Sequence, residues 1–386
     1  MEASEKWGVS LRQAQRLLAD DRIPRAKKHG RSWMIPADAE KPVDPRRERK
    51  LPEDPLSSDL NHVIAATTVP MPIHNPDAIL DNMTEERLRL QYEGELAYLR
   101  GDFARTMRCY QRTEGDDAAR LRACPVAVAA AISLGDYQSY TQIDAYLKSC
   151  VKAREGSYVA VFAELSLATA AVSVIAPNMA PDWLKNGDFS ALPAPARPDA
   201  LYLWTKYLHS TGRIDAMLAA AQTALAFGAP EHGITLPDVY LRVTRAVACH
   251  ALGQEDEARL FLLEAMRICL PHGFITPFAE VVTALGGLAE QCLERELPGY
   301  YDAVLGQWKQ TWKNWISFHN QFTQDNITLM LTLREYHIAL LVARRVPYAK
   351  IAKQQCVSEG RLRNIMQEIY QKLFVSGRNE LAKYVF

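Results

Sequence analysis

From about Met83 to about Asn326, apolar residues recur at spacings of three and four, and strand-like alternation is scarce. This periodicity predicts a mainly α body over residues 83–328. Four stretches of it share one plan: "YEGELAYLRGDFARTMRCYQR", "AVAAAISLGDYQSYTQIDAYL", "LYLWTKYLHSTGRIDAMLAAAQTAL" and "YLRVTRAVACHALGQEDEARLFLLEA". Each is an apolar helix, a glycine followed by a polar residue, and a second helix. The glycines are Gly101, Gly135, Gly212 and Gly253. Glycine takes the left-handed position that closes a helix, and a polar residue after it can cap the next. The pattern changes towards both ends. After Pro36, "ADAEKPVDPRRERKLPEDPLSSD" is rich in proline and charge and has no period, so residues 41–82 read as a linker, with "TTVPMPIHNPD" delaying the body further. Residues 329–386 read as four short helices. Residues 1–40 read as a small unit of helices followed by two short strands.

In the C-terminal unit, Thr332 and Glu335 have the spacing of a capping box at the start of the first helix. Ile338, Leu341 and Val342 share one face of it. A second helix runs from about Pro347 to Gln355, with Pro347 expected in its first turn. Cys356 and Val357 then turn the chain. Ser358 caps a third helix whose inward stripe is Leu362, Ile365, Ile369 and Leu373, and a fourth helix follows Gly377. Two helices joined by so short a turn are the helix-turn-helix arrangement. On the outward side of the third helix, Arg363, Asn364 and Gln367 are neighbours. Arginine can pair two-fold with guanine, and Asn or Gln with adenine, in a major groove. Lys350, Lys353 and Arg361 flank that face as candidate phosphate contacts, which position a protein without reading sequence.

The N-terminal stretch "WGVSLRQAQRLLADDRIPRAKKHGRSWMIP" reads as a second solution to the same problem. Ser10 and Gln13 have capping-box spacing, Ala14, Leu17 and Leu18 face inward, and Arg12 and Arg16 lie four apart on the outer face. His29-Gly30 signals a turn between two short strands, with Trp33 and Ile35 available for packing. The outcome is a helix-turn-helix with a basic wing.

Charge sharpens this picture. The chain is neutral overall, yet residues 1–50 carry +5, residues 331–386 carry +6, and residues 51–330 carry −11. Basic ends can release counterions from a phosphate backbone, whereas the acidic body would be repelled by it. The most apolar stretch, "VAVFAELSLATAAVSVIAP", contains Glu164 and is shorter than a span requires, so it reads as a buried helix and no membrane partner is expected. Seven cysteines, none in a C-x-x-C pair, and no leader-like opening fit reduced thiols in a cytoplasmic protein. No phosphate-binding G-x-x-x-x-G-K-[ST] loop, G-x-S-x-G elbow or H-E-x-x-H is present, so no enzyme, cofactor or metal site is expected. Trp308, Trp312 and Trp315 lie at helical spacing and read as a packing stripe.

The C-terminal unit resembles the LuxR-type DNA-binding domain. The likeness runs through Leu331, Thr332, Arg334 and Glu335, then Ile351, Ala352, Ser358, Leu362, Ile369, Lys372, Leu373, Val375, Ser376, Arg378 and Glu380. It implies that the third helix enters the major groove with Arg363, Asn364 and Gln367 at the bases, and that the unit pairs with a second copy. The sequence departs from the family at Arg345, where glycine is usual, at "PYAK", where a Ser-x-x-Glu cap is usual, and at Arg361 and Ile365, where Thr and His are common. The N-terminal unit is similar to excisionase-like and MerR-like winged helices through "WGVS", "RIP", "GRSWMIP" and "DAEKP". That likeness implies Arg12, Gln13 and Arg16 at a groove and Lys27, Lys28 and Arg31 at a neighbouring backbone. The glycine spacings of 34, 77 and 41 resemble tetratricopeptide periods, the longest leaving room for one weaker repeat. "LPHGFITPFAEVVTALGGLAEQCL" resembles the end of the sensor domain in MalT-like regulators. Together these imply a transcription regulator that binds double-stranded DNA and whose body senses an effector or protein partner. The alternative is a helical-repeat adaptor whose terminal units dock proteins.

Overall fold

The computed structural model describes residues 55–227, 233–323, 331–373 and 375–381, and, in the first fifty, residues 7, 15, 18, 23, 25–30, 32–36 and 39. The protein is mainly α-helical and divides into two compact units, Met1–Lys50 and Leu51–Phe386.

In the first unit, strands β1 (Lys27–His29) and β2 (Ser32–Met34) pair antiparallel, with Lys28 opposite Trp33. Gly30 sits at φ +60° in the connecting turn, as the His29-Gly30 signal predicted. A small core of Trp7, Leu18 and Ile23 lies beneath, with Ala26, Trp33, Ile35 and Ala39 packed on it. The Trp7 indole donates to the Ala39 carbonyl at 3.3 Å.

The second unit opens with a departure from expectation. The linker reading does not hold across its whole span. Residues 55–66 form helix α1 (Pro55–Ala66), which buries Leu60, Val63 and Ile64 in the main core. Its apolar positions are only three and four apart over a single stretch, too short to stand out among the surrounding prolines and charges. After it, Met71 exchanges backbone hydrogen bonds with Ile234 at 2.7 and 2.8 Å. Arg122 then bonds Thr67 Oγ1 at 3.0 Å and Glu95 at 2.7 Å, a buried polar knot that ties α1 to the body.

The body is built of helix pairs: α2 (Glu86–Leu99) with α3 (Phe103–Gln111), α4 (Asp117–Leu134) with α5 (Tyr137–Ala153), α7 (Arg197–Ser210) with α8 (Ile214–Phe227), and α9 (Leu236–Leu252) with α10 (Glu255–Cys269). Gly101, Gly135, Gly212 and Gly253 close the first helix of each pair at φ between +73° and +80°. Each closure has the same two bonds, for example Gly135 N–H to Ile132 O and Asp136 N–H to Ala131 O, which satisfy carbonyls the helix end would otherwise leave open. Asp102 and Asp136 then cap the next helix through their side chains. The long interval between Gly135 and Gly212 holds α6 (Tyr158–Ser173), the apolar stretch around Glu164, followed by a one-turn helix (Asp182–Asn186) rather than another full pair. α6 is buried among α4, α5 and α7, and no helix among the described residues is long and apolar enough to cross a membrane.

α11 (Leu288–Glu296) and the long α12 (Tyr301–Thr323) complete the body. α12 lies along α4, with Trp308 and Trp315 packed on the main core, while Trp312, the third of the expected stripe, lies with its ring 5.6 Å from Trp315. The "HGFITPF" segment joins helices by burying Phe274 and Phe278, while Thr276 Oγ1 donates to Tyr98 O at 2.5 Å. Helices α13 (Leu333–Ala343), α14 (Tyr348–Gln354), α15 (Glu359–Leu373) and α16 (Arg378–Leu381) follow, around a separate core that includes Ile338, Val342, Ile351, Leu362 and Ile369.

Candidate nucleic-acid interface

The four C-terminal helices are held by the residues that carry the family likeness. Thr332 and Glu335 form a full capping box at the start of α13, with Thr332 N–H donating to Glu335 Oε2 at 2.7 Å. Lys372 of α15 donates to both oxygens of that carboxylate, at 2.6 and 2.9 Å. Burial alone would raise the Glu335 carboxyl, but the bonds and charge of Lys372 and the bonds from Thr332 outweigh it and hold it below the usual carboxylate range. Arg334 donates to Gln355 O at 2.6 Å and Arg378 to Val342 O at 2.6 Å, which tie α14 and α16 to α13.

α14 ends at Gln354, with Gln355 at its C-cap, and Cys356 at φ +51° turns the chain. Val357 N–H bonds Ala352 O and Cys356 N–H bonds Lys353 O, the same closure used by the glycines of the body, here with a side chain in the left-handed region. Pro347 stands at the N-cap of α14 with extended backbone, one position before the first turn where it was expected. Ser358 Oγ accepts from Arg361 N–H at 3.2 Å at the start of α15.

α15 buries Leu362, Ile365, Met366, Ile369 and Leu373 and leaves Arg361, Arg363, Asn364 and Gln367 exposed on the other side. Arg363 lies 3.7 Å from Glu359, one turn earlier, with both side chains largely in solvent. Lys353 is exposed on α14. Lys350 is not gathered with them. Its stem packs over the Gly253 turn of the body, where a Cβ would lie 3.6 Å from Lys350 Cε. Among the N-terminal candidates, Lys27 and Lys28 are exposed on β1, with the Lys28 ammonium 6.0 Å from the Trp33 ring. Arg12, Gln13, Arg16 and Arg31 lie outside the described residues.

The C-terminal unit is seated on the ends of body helices, which the sequence reading did not anticipate. Arg344 donates to His209 O at 3.4 Å and Ser210 O at 2.5 Å, the last carbonyls of α7. Gln354 Nε2 donates to His250 O and Ala251 O near the end of α9, at 3.2 and 3.3 Å. Helix C-termini carry partial negative charge and open carbonyls, so a guanidinium, an amide and the nearby Lys350 suit them. Gly286 makes this seat possible: it sits at φ +53°, and a Cβ there would be 2.6 Å from Gln354 O. The only sequence signal for the seat is the Gly286-Gly287 pair inside an otherwise helical stretch.

A second constellation lies within the body. Glu280 accepts from Tyr98 at 2.6 Å, Lys206 at 3.1 Å and Tyr240 at 3.3 Å. The Tyr202 and Tyr240 rings stack 4.6 Å apart under the Lys206 ammonium. Burial first, and the Glu280 charge second, push the Tyr98, Tyr202 and Tyr240 hydroxyls well above their ordinary range, so they act as donors. Among the described residues no group of His, Cys, Asp and Glu is arranged to hold a metal ion. No family model, curated protein or solved structure matches the chain.

Proposed function

We propose that the protein is a DNA-binding transcription regulator in which the helical body senses an effector or partner and the terminal units meet double-stranded DNA. The observation that supports this reading is α15: one stripe is buried on α13 and α14, and the opposite side presents Arg361, Arg363, Asn364 and Gln367 to solvent beside Lys353. That spacing and chemistry suit base edges and flanking phosphates. Glu359 and Glu368 are also exposed on α15, so affinity would come from a few placed cations rather than a broad basic surface. Lys27 and Lys28 on the exposed hairpin supply a second cationic element. Gln354 bonds the body from the side of α14 away from the exposed residues of α15, which leaves those residues open to a DNA contact.

The test is selection of bound sequences from a random duplex pool by the full chain, followed by titration at two salt concentrations. A preferred site whose affinity falls steeply with salt is expected. Arg363→Ala should cost about 1–3 kcal/mol on that site and relax preference at one base, whereas Lys353→Ala should weaken all sequences alike. No selected site and no salt-dependent binding would favour the adaptor reading, in which the exposed face of α15 docks a protein.

A further inference from the structure

A cavity of about 130 Å³ opens where the body meets α13. Its walls are largely apolar, including Val172, Ile175, Met217, Val243, Trp315 and Leu340. The size is close to the roughly 150 Å³ of apolar cavities that accept a benzene ring. Ile175 presents its side chain there from a left-handed backbone, φ +54°. A β-branched residue is strained in that region, where glycine would be relaxed but would remove the wall.

The polar groups at the rim have an uneven balance. Lys206 is matched by Glu280 at 3.1 Å. Arg344 has no such match: among the described residues it reaches the two carbonyls of His209 and Ser210 and no carboxylate. A guanidinium carries five N–H donors, and among the described residues two of them have acceptors, which leaves donors free for a ligand. Arg344 is half-buried at the rim, and a partly desolvated charge without a counterion is the kind of imbalance that a ligand of opposite charge removes. The buried indole N–H of Trp312, another wall residue, is likewise without an acceptor among the described residues. His209 and His337 beside Arg344 are held neutral, by desolvation first and then by neighbouring positive charge, so neither cancels nor adds to the excess cation.

We infer that this cavity binds a small single-ring aromatic carboxylate, with the ring among the apolar walls and the carboxylate on Arg344. One unmatched cation calls for a monoanion, and a planar carboxylate can take two guanidinium N–H groups at once. The inference rests on the sensor reading above and gives it a place. The occupant would touch the body on one side and Tyr336, His337, Leu340 and Arg344 of the DNA-reading unit on the other. Binding therefore acts on the seat of that unit, and any coupling to DNA runs in both directions.

The experiment titrates the full chain with benzoate and phenylacetate, and with their neutral amides, following tryptophan fluorescence and heat. Trp312 and Trp315 form part of the wall and report occupancy. Saturable binding of at least one acid is expected, at least about tenfold tighter than its amide. Val243→Phe, which fills the cavity, should abolish binding in a chain that still melts cooperatively. Arg344→Met should erase the preference for acid over amide; if that variant does not fold, the acid-to-amide ratio of the unaltered chain and the Val243→Phe result carry the test. No saturable binding of either acid at millimolar concentration, or equal binding of acid and amide, would overturn the inference. DNA affinity is measured separately. Ligand binding without DNA binding would sink the regulator and keep the cavity; DNA binding without ligand binding would do the reverse.

Discussion

Arg345 takes a backbone conformation that glycine adopts without strain. It closes α13 at φ +62°, with Arg345 N–H on Val342 O and Val346 N–H on Leu341 O. A side chain in this region costs about 1–2 kcal/mol. Arg345→Gly is therefore expected to stabilise the C-terminal unit by about 1 kcal/mol, less part of the added freedom glycine gives the unfolded chain. Denaturant melts of the two chains check this, and an unchanged or lower midpoint would mean that the Arg345 side chain makes a compensating contact. Arg122 shows the opposite situation, a buried guanidinium matched by the buried carboxylate of Glu95. Arg122→Met would leave Glu95 buried beside the hydroxyl of Thr67 with no cation, and a loss of about 3–5 kcal/mol is expected. The measurement is the same melt, and the double variant with Glu95→Gln should recover much of the loss.

Among the elements, α14 matters most because it touches both the C-terminal helices and the body. Its outer side flanks the exposed face of α15, and its end is bonded to α9 through Gln354. Gly286 sets the distance between them. Gly286→Ala places a methyl 2.6 Å from Gln354 O, closer than such atoms can sit, so α14 must move away from the body. The expected outcome is faster hydrogen exchange over residues 348–357 with the helix pairs of the body unchanged. Unchanged protection there would mean that the seat is maintained by Arg344 alone. The starts and ends of most elements were legible before any coordinates. The Gly101, Gly135, Gly212 and Gly253 closures, the Thr332–Glu335 box and the inward stripe of α15 all depend on residues within about one turn of one another. Helix α1 was missed for the complementary reason: it is short, and its burial comes from α4 and the Arg122 knot rather than from its own pattern.

At the scale of the whole molecule, the seat carries a pH dependence. Burial first, and the charge of Arg344 and other neighbouring cations after it, lower His209 from 6.5 to about 4. Burial first, then His209, His250 and Arg344, lower His337 to about 3. Below pH 6.5 the unfolded chain takes up protons at these positions while the folded chain does not, so stability is present above 6.5 and is lost as pH falls towards 4. Melting temperature should drop over that window, and His209→Gln with His337→Gln should flatten the drop. A melt that is level from neutral pH down to 4 in the unaltered chain would place both rings in contact with water instead.

The sequence alone determined that the chain is mainly α, that glycine-closed helix pairs make up the body, and that basic segments stand at the ends of an acidic middle. Periods, caps and charge runs are local, and a residue's near neighbours are written beside it. Tertiary structure decided the rest. Tyr98 finds Glu280 across 182 positions, Arg344 finds His209 across 135, and Gln354 finds His250 across 104. Nothing in the local pattern of any of these segments names its partner. The position of Lys350 over the Gly253 turn, the unmatched charge of Arg344 and the cavity beside it arise only where the helix ends of the body meet α13 and α14. Pairing at such distances is set by which apolar faces pack together, and the polar groups at their edges then take whatever partners that packing brings within reach.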